Sequence, residues 1–260
     1  ADGTVTIDPK SDIEVINTEL ALADVATIEN HLPKLQKEAK ANPKLMPRVA
    51  LLRSVQSQLL AGKVPTEFHD FSPAELHQQL DSLDLLTAKP VIYLFNVEET
   101  DLTNQARQAE LRQLASQATG QPPDRLTAVF VCAELESEIR SLSPVEASEL
   151  MTDYGVTESS LNQLARVAYH TLGLQSFLTA GAKEVRAWTI HRGWTAPQAA
   201  GVIHTDFERG FIAAQVVSYH DLARLGSESA ARSAGKIRTE GKTYIMQPDD
   251  VVEFRFNVSK

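Results

Sequence analysis

The stretch KPVIYLFNVEE at residues 89–99 decides the fold of this chain. Its apolar run, residues 91–95, is typical of a strand buried on both faces, as in a parallel sheet that helices cover. Polar residues follow at once, with Asn96 and Glu99 three positions apart. Because ligands of open α/β sheets bind beyond the carboxyl ends of the strands, this turn is a candidate binding loop.

A second strand and several helices follow this turn. The run LTAVFVC, residues 126–132, is again continuously apolar, and helical patterns occupy residues 104–118 and 158–172. Another helix begins at Ser143, where Pro144 and Glu146 complete a capping pattern. Alternating strands and helices predict parallel strands in an α/β sheet. Since two strands do not form a stable sheet alone, we expect that further strands come from elsewhere or are missing.

Upstream of residue 89, the pattern is helical. Apolar residues recur at steps of mostly three or four over 13–35 and again over 45–59, with Asn42 and Pro43 between them. Gly62 is placed to end the second helix. Two amphipathic helices joined by a short turn predict an antiparallel helical hairpin.

Local signals predict the ends of these helices. Ser11 and Glu14 have the spacing of a capping box, which would start the first helix. Pro33 is expected to kink that helix, because proline removes one of its hydrogen bonds. A third helix is predicted to begin at Ser72, with Pro73 in its first turn.

The last 85 or so residues have a different pattern. Strands are predicted at 185–190, 211–219 and 251–258, a fourth is expected at 241–246, and a short helix at 195–200. Short strands around one or two short helices indicate a small α+β module.

Composition excludes several classes of protein. The chain has 43% hydrophobic and 23% charged residues and a net charge of −9, as in an ordinary globular protein. No apolar run approaches the roughly 18 residues of a membrane-spanning helix. A single cysteine excludes a disulfide framework or a CxxC metal site and suggests a reducing compartment.

Charge is divided unevenly along the chain. Residues 174–260 carry 11 Lys and Arg against 9 Asp and Glu, whereas residues 1–173 carry 14 against 25. This balance argues against bulk binding of nucleic acid, which needs concentrated positive charge, and allows a modest basic surface near the C-terminal end.

The N-x-x-E pattern of Asn96 and Glu99 could bind the edge of a purine. The Asn amide offers a donor and an acceptor group, while the carboxylate offers acceptors. Cys132 and Ala133 end the second strand, so their backbone would lie beside the same pocket. From the residues alone, a solvated loop is the simpler alternative, because N-x-x-E occurs often by chance.

Several longer segments resemble the Obg-like ATPases, also called the YchF family, of the translation-factor-related P-loop NTPases. The resemblance runs nearly from end to end and is densest in the last 85 or so residues. The segments that carry it are DIEVINTELALAD (12–24), KPVIYLFNVEE (89–99), VCAELE (131–136), FLTAGAKEVRAWTI (177–190), APQAAGVIHTDFERGFIAAQV (196–216), AGKIRTEGKTYIM (234–246) and VVEFRFNV (251–258).

The resemblance implies a fold and a division into domains. The fold class is α/β: a partial P-loop NTPase-type parallel sheet with an inserted helical hairpin, followed by a C-terminal β-grasp domain of the TGS type. The implied ranges are a remnant of the nucleotide-binding domain at 1–12, the hairpin at 13–86, the second part of the nucleotide-binding domain at 87–173, and the TGS domain at 174–260.

The resemblance also implies a ligand. Relatives that bind guanine have N-K-x-D where this chain has Asn96 to Glu99, and the change from Asp to Glu accompanies a preference for ATP over GTP. Val97 would pack near the adenine, with Asn96 placing the loop. Cys132 and Ala133 match a second base-contact loop.

The Walker A motif of this family, G-x-x-x-x-G-K-[ST], does not occur in the sequence. The phosphate cradle, the Mg²⁺ ligands and the catalytic residues would therefore lie outside this chain, and no catalytic or metal-binding residue is assigned within it. Together with the start at Ala1, without a signal peptide, this suggests the C-terminal portion of an Obg-like ATPase. We expect ATP and Mg²⁺ to be cofactors of the intact protein, and no ATP hydrolysis by this chain alone.

The resemblance implies a cytoplasmic protein with the ribosome or rRNA as partner, and neither a membrane nor DNA. Candidate contacts lie in a local excess of positive charge, where Arg224, Arg232, Lys236, Arg238 and Lys242 face Glu228 and Glu240. A solvated surface is the equal alternative for these cations. A rival to the ATPase is a non-enzymatic adaptor that binds the ribosome through the hairpin and the TGS domain.

Four other residues invite a functional interpretation. Cys132 is interpreted as a buried core thiol rather than a reactive one. Trp188 is expected to pack in the core, whereas Trp194, in a turn, could stack on RNA. For His204 and Asp206, a metal pair is the minor alternative and a capping or turn role for Thr205 and Asp206 is the expectation.

Overall fold

The computed structural model describes residues 8–63, 83–181 and 184–257. The chain divides into two compact units, Ala1–Leu164 and Ala165–Lys260. Within the described ranges, no helix is both long and apolar enough to cross a membrane.

The first unit begins with the predicted helical hairpin. Helix α1 spans Pro9–Ala41, a 3₁₀ turn covers Pro43–Leu45, and α2 spans Met46–Leu60. The facing apolar stripes bury each other, as Ile28, Leu52 and Val55 are fully buried between the helices. The remaining core residues of the hairpin are Val25, Leu32, Leu35, Ala39, Val49, Leu51, Leu59 and Leu85.

The start of α1 differs from the prediction. Asp8 caps the helix by accepting hydrogen bonds from the N–H groups of Lys10 and Ser11 at 3.2 and 3.3 Å. The predicted capping box at Ser11 and Glu14 is therefore wrong, because Pro9 already has the fixed φ of a first helical residue and the cap lies one residue before it. The helix thus begins inside the range 1–12 predicted as a remnant, of which residues 1–7 lie outside the described ranges.

Two further predictions concern helix ends. Helix α1 continues through Pro33 to Ala41. Helix α2 ends as predicted at Gly62, whose φ is +76°, and the N–H of Lys63 donates to the carbonyl of Gln58 at 2.9 Å in a Schellman motif. The helix predicted from Ser72 lies outside the described residues.

A buried aspartate of the hairpin binds the chain segment that precedes the first strand. Asp24, on α1, is 2% exposed. Its carboxylate accepts hydrogen bonds from the N–H groups of Leu86 and Thr87 and from the Thr87 hydroxyl, all at 2.7–2.8 Å. These three bonds satisfy the buried charge and hold the residues that lead into the first strand.

The sheet of the first unit contains two described strands, β1 (Ile92–Asn96) and β2 (Thr127–Val131). They pair in parallel, with Asn96 opposite Val131, as the strand–helix order predicted. The helices of this region are α3 (Gln105–Thr119), α4 (Ala133–Ser141), α5 (Pro144–Asp153) and α6 (Ser160–Thr171), the last of which runs across the division between the units.

The two strands are buried to different extents. In β2, Val129 and Phe130 point to opposite faces and are both buried, as predicted. In β1, Phe95 packs on Phe130 and on α3, but Leu94 is 48% exposed. The prediction that β1 is buried on both faces is therefore wrong for the described residues, which cover the Phe95 face and leave the Leu94 face open.

The second unit contains a five-stranded mixed sheet. Its strands are β3 (Leu174–Ala180), β4 (Val185–His191), β5 (Phe211–Ser218), β6 (Arg238–Glu240) and β7 (Asp250–Phe256). They lie in the order β4-β3-β7-β5-β6, with β3 and β7 parallel and the other neighbours antiparallel. The helices are α7 (Ala196–Ile203), α8 (Thr205–Arg209), α9 (Tyr219–Leu225) and α10 (Glu228–Ser233).

The strand predicted at 241–246 is not formed. Strand β6 lies just before it, and the segment itself makes a turn with one isolated bridge, Ile245 to Thr195. The N–H of Met246 donates to the carbonyl of Trp194, and the Tyr244 carbonyl accepts from Ala196. These bonds attach the segment to the start of α7, so it does not add a ladder to the sheet.

Candidate functional site

A cleft opens where β1 and β2 end, at their carboxyl ends. Its volume is about 630 Å³. The lining residues are Asn96, Val97, Glu98, Glu99, Thr100, Cys132, Ala133 and Glu134. All five residues predicted from the sequence as base contacts thus lie in one cleft, as expected from parallel strands whose ends meet at one edge of a sheet.

The strand register brings the two loops together. Asn96 is the last residue of β1 and pairs with Val131, the last residue of β2. The N–H of Val97 donates to the Val131 carbonyl at 2.8 Å, which extends the pairing by one residue. Beyond it, β1 leads into a 3₁₀ turn at Glu99–Asp101, so Glu99 lies at the rim of the cleft.

Asn96 connects the two loops directly. Its Oδ1 accepts a hydrogen bond from the N–H of Ala133 at 3.1 Å. Ala133 begins α4, so this N–H is one of the first-turn groups that have no partner within the helix. The Asn96 side chain therefore fixes the start of α4 and carries two further N–H donors on its amide nitrogen.

Glu99 has a partner that sequence reasoning missed. The Glu99 carboxylate, as an acceptor and as a negative charge, raises the pKa of the hydroxyl of Tyr154, the C-terminal cap of α5. Burial, Glu138 and Cys132 raise this pKa in the same direction. No motif links two residues 55 positions apart, so the sequence contains no signal for this contact.

The second loop, at Cys132 and Ala133, contributes backbone groups and part of the wall of the cleft. Cys132 is 4% exposed, so the interpretation as a buried thiol agrees with its position. It precedes α4 without capping that helix through its side chain, and Ala133 is exposed beside it. Leu135 is 1% exposed and anchors the first turn of the helix.

The charges of the cleft favour a base over a phosphate. Glu98, Glu99 and Glu134 line it, and its lining contains no Lys or Arg among the described residues. Carboxylates repel phosphate but accept hydrogen bonds from the N–H groups of a purine. Within the described ranges, no group of three or more His, Cys, Asp or Glu residues is arranged to hold a metal ion.

The cations predicted as RNA contacts lie in the second unit. The Arg232 guanidinium bonds to Glu228 at 2.7 Å and to the Gln215 amide oxygen at 3.1 Å. Lys236 lies 3.6 Å from Asp221, which also bonds to Arg224 at 2.6 Å.

Arg238 and Lys242 complete this group. Arg238 lies 3.6 Å from Glu240 and 3.8 Å from Asp250, and Lys242 lies in the turn after β6. Both cations are exposed. The predicted excess of positive charge was taken over residues 224–242. Asp221 and Asp250 lie just outside this range and were therefore not counted. Both carboxylates compensate cations of this surface.

The aromatic and histidine candidates have structural roles. Trp188 packs against the sheet core, and its indole N–H donates to the Thr179 hydroxyl at 2.9 Å. Trp194 is half-buried and packs against the same core. His204 caps α8, as its Nδ1 accepts from the N–H of Asp206 at 3.1 Å, so the cap is His204 and not the expected Thr205 or Asp206.

This fold and cleft define an α/β protein of the P-loop NTPase type, with an inserted helical hairpin and a C-terminal module built on a mixed sheet. Comparison with protein families agrees. Residues 174–257 match the family model YchF-GTPase_C, which carries the description "Protein of unknown function (DUF933)".

Individual proteins match over almost the whole chain. The "Ribosome-binding ATPase YchF" of Haemophilus influenzae is 43% identical over 257 residues, which cover 97% of this chain and 68% of the relative. The protein of the same name from Bacillus subtilis is 39% identical with the same coverage. "Obg-like ATPase 1" of Rattus norvegicus is 38% identical, and the match covers 63% of it. The chain therefore belongs to the YchF family of Obg-like ATPases.

Solved structures give the same result. The Schizosaccharomyces pombe YchF GTPase has a TM-score of 0.82 at 33% identity, over 98% of this chain and 68% of that one. A GTP-binding protein from Pyrococcus horikoshii has a TM-score of 0.57 at 16% identity, over 98% of this chain and 73% of that one, and shares the fold. The predicted family and fold class are confirmed.

Proposed function

We propose that this chain acts in a ribosome-associated ATPase and that its cleft binds the adenine base of ATP. The name of a relative supports the first part, since the Haemophilus influenzae protein is called a ribosome-binding ATPase. The observation that carries the proposal is the convergence of Asn96, Glu99, Cys132 and Ala133 on one cleft at the carboxyl ends of β1 and β2.

The chemistry of the cleft suits a purine base. The Asn96 amide can bond to ring nitrogen or exocyclic groups, and the side chain of Val97 offers an apolar contact to the ring. A carboxylate accepts from the amino group of adenine and equally from the N–H groups of guanine, so the charge of Glu99 does not choose between them. The choice between adenine and guanine depends on how far the carboxylate extends from the backbone, and the Glu side chain is one methylene longer than that of Asp.

The test of this proposal changes that reach. Equilibrium dialysis of the chain with labelled ATP and GTP gives the two dissociation constants for the wild type, Glu99→Asp and the control Glu149→Asp, since Glu149 is exposed on α5 and lies outside the lining of the cleft. We expect the wild type to prefer ATP, Glu99→Asp to shift the ratio towards GTP, and Glu149→Asp to leave it unchanged. Equal ratios in all three proteins would refute base recognition by Glu99.

Hydrolysis is a separate part of the proposal. The sequence contains no G-x-x-x-x-G-K-[ST], so this chain offers no phosphate cradle of that type, and we assign it no Mg²⁺ ligand. We expect purified chain with ATP and Mg²⁺ to release phosphate at the rate of a protein-free blank. Turnover above the blank that copurifies with the chain through two different columns would contradict this.

Ribosome binding is proposed for the second unit, whose sheet β3–β7 we interpret as a TGS domain. We propose the cytoplasm as the location of the protein and include neither DNA nor a membrane among its partners. In the adaptor alternative, the chain binds the ribosome without any nucleotide. The candidate contacts are Arg232, Lys236, Arg238 and Lys242, all of which are exposed, and the first three lie close to carboxylates. We expect co-sedimentation with ribosomes that weakens with salt and with Lys242→Ala. Loss of binding only when nucleotide is removed would argue against the adaptor, whereas binding unaffected by salt would argue against the cationic surface.

A further inference from the structure

We propose that strand β4 is a docking edge, where an extended acidic peptide segment of a partner protein adds to the sheet of the second unit as a further strand. Neither the nucleotide cleft nor the cationic residues of the proposed function take part in it. Such strand addition combines main-chain hydrogen bonds, which give affinity, with side-chain contacts, which give specificity.

Strand β4 lies at one edge of the sheet. Within the described residues, β3 is the only strand that pairs with it, in an unbroken antiparallel ladder over all seven residues of β4. Just before β4, the N–H of Gly181 donates to the Glu184 carbonyl at 2.9 Å, and just beyond it the N–H of Arg192 donates to the Gly173 carbonyl at 2.7 Å. Because hydrogen-bonded pairs alternate along an antiparallel ladder, these two bonds fix which residues of β4 bond to β3.

The alternation leaves one row of backbone groups that points away from the sheet. Every second residue of β4, starting at Arg186, directs its N–H and carbonyl towards β3. Val185, Ala187 and Thr189 therefore direct theirs outwards. All three residues are exposed, Val185 to 74%. A row of this kind is a template for another strand.

The opposite edge of the sheet differs from β4. Strand β6 has only the three residues Arg238–Glu240, and two of them are charged. Strand β4 has seven residues and an even ladder, contains no proline, and has Arg186 as its only Lys, Arg, Asp or Glu. Proteins block sheet edges with short strands, charges, prolines or bulges. By this comparison, β4 is the edge that a partner can extend.

The side chains of β4 define the chemistry of the occupant. The Arg186 guanidinium lies over the Trp188 ring, 4.1 Å from its centroid, and the Arg186 side chain is 54% exposed. Glu184, 3.8 Å from Arg186, is itself 65% exposed, so the guanidinium keeps donors for a second carboxylate. A carboxylate opposite Arg186 on an added strand would form a cross-strand pair of opposite charge. On the other face, Val185 and Ala187 favour apolar neighbours.

The outward row also sets the length of the occupant. The row ends at His191, because its carbonyl accepts from the N–H of Trp194 at 3.3 Å. In an antiparallel pair, each of the outward residues Val185, Ala187 and Thr189 exchanges two hydrogen bonds with the residue opposite. An extended segment of about five residues therefore gains about six hydrogen bonds.

The probe is the fluorescein-labelled peptide TVTEV-amide, in which the glutamate falls opposite Arg186 when the central threonine falls opposite Ala187. Fluorescence anisotropy gives its affinity for the wild type, Ala187→Pro and Ala187→Thr. Proline removes the outward N–H and no bond to β3, whereas threonine, the matched control, keeps this N–H. We expect binding about tenfold weaker for Ala187→Pro and unchanged for Ala187→Thr. The peptide TVTKV-amide should bind the wild type about threefold more weakly than TVTEV-amide does.

Methylated peptides test the strand geometry on the unaltered protein. A methyl group on the amide nitrogen of the central threonine removes a donor that faces β4, whereas one on the glutamate nitrogen removes a donor that faces solvent. We expect the first to weaken binding about tenfold and the second to leave it unchanged. Equal effects of the two methyl groups, or no binding of TVTEV-amide at millimolar concentration, would overturn the inference.

Amide hydrogen exchange measured by NMR locates the docked peptide. We expect TVTEV-amide to slow exchange at Ala187 and Thr189 and to leave Trp188 unchanged, since the Trp188 N–H already faces β3. Protection that rises instead with the concentration of the chain alone, together with dimers in analytical ultracentrifugation, would overturn the peptide as occupant and assign this edge to a second copy of the chain.

Discussion

The two sheets of this protein differ in what they cover and what they leave open. In the second unit, Phe177 and Val216 are completely buried within a five-stranded sheet. In the first unit, the described pair β1–β2 leaves Leu94 half exposed and ends in an open, acidic cleft. The second sheet therefore uses its side chains for stability, while the first presents polar groups at its carboxyl end.

Each unit also contains one buried aspartate that holds irregular backbone. Asp24 accepts three hydrogen bonds from Leu86 and Thr87. Asp250, 3% exposed, accepts from the Tyr244 hydroxyl and the Gln247 N–H and lies 3.8 Å from Arg238. The first is satisfied mainly by backbone and the second mainly by side chains, so the two should respond differently to mutation of their partners.

The largest expected effect comes from the two aromatic pairs. Phe177 packs edge-on against Phe254 and is fully buried, whereas Phe95 stacks on Phe130 in the sheet that is open on one face. We expect Phe177→Ala to lower the free energy of unfolding of its unit by about 3–5 kcal/mol, and Phe95→Ala to cost its own unit less.

Denaturant unfolding checks this prediction. Both tryptophans, Trp188 and Trp194, lie in the second unit, so their fluorescence reports Phe177→Ala, and circular dichroism of the hairpin helices reports Phe95→Ala. An equal or larger loss of unfolding free energy for Phe95→Ala would show that the open face of β1 is buried in solution. The two sheets would then not differ in burial.

The next effect concerns Asp24. Replacing Asp24 by Ala leaves the N–H groups of Leu86 and Thr87 buried without an acceptor, so we expect a loss of about 3 kcal/mol in the unfolding free energy of the first unit. Glu19→Ala is the control, since Glu19 is exposed on the same helix. Similar midpoints for the two variants in urea would mean that the Asp24 bonds contribute little.

Tyr244 gives the second unit a dependence on alkaline pH. Burial and its bond to Asp250 raise the pKa of Tyr244 to about 12. Because the folded state then holds this proton more tightly than the unfolded state, its contribution is complete below pH 10 and is lost as the pH rises towards 12. We expect Tyr244→Phe to flatten this part of the stability curve, measured by tryptophan fluorescence; an unchanged slope would contradict the assignment.

The smallest effect concerns α5, which carries Tyr154. Ser143 and Glu146 form a capping box at its start, and this bond lowers the pKa of Glu146. We expect Ser143→Ala to cost about 1 kcal/mol, while Ser148→Ala within the helix costs nothing. Since the folded pKa is depressed, the contribution of Glu146 is present near neutral pH and is lost on acidification, so the difference between the two variants should narrow at low pH in thermal melts, while the Ser143 cap on the Glu146 N–H keeps part of it.

Much of the fold followed from periodicity, and the failures have physical causes. The hairpin and the strands at 185–190 and 211–219 have clear apolar patterns. Strand β3 was missed because a polar residue, Gln175, occupies one of its buried positions, where its amide donates to the Met246 carbonyl at 2.7 Å. The cap at Asp8 was missed because a second capping pattern lay three residues later.

The residues of the candidate site likewise include some that the sequence predicted and one that it did not. Asn96 and Glu99 could be found from the sequence because they lie next to a strand and match a family motif. Tyr154, whose hydroxyl pKa Glu99 raises, could not, since the two residues are 55 positions apart and no motif joins them. Tertiary contacts of this kind leave no local pattern in a single sequence.

The most direct test of the central claim is an NMR titration of ¹⁵N-labelled chain with ATP and, separately, GTP. We predict that ATP shifts the backbone signals of Val97 and Ala133 and the side-chain amide of Asn96, at lower concentration than GTP does. Shifts confined to other parts of the chain, or none at saturating ATP, would contradict the account of this cleft as the site that binds adenine.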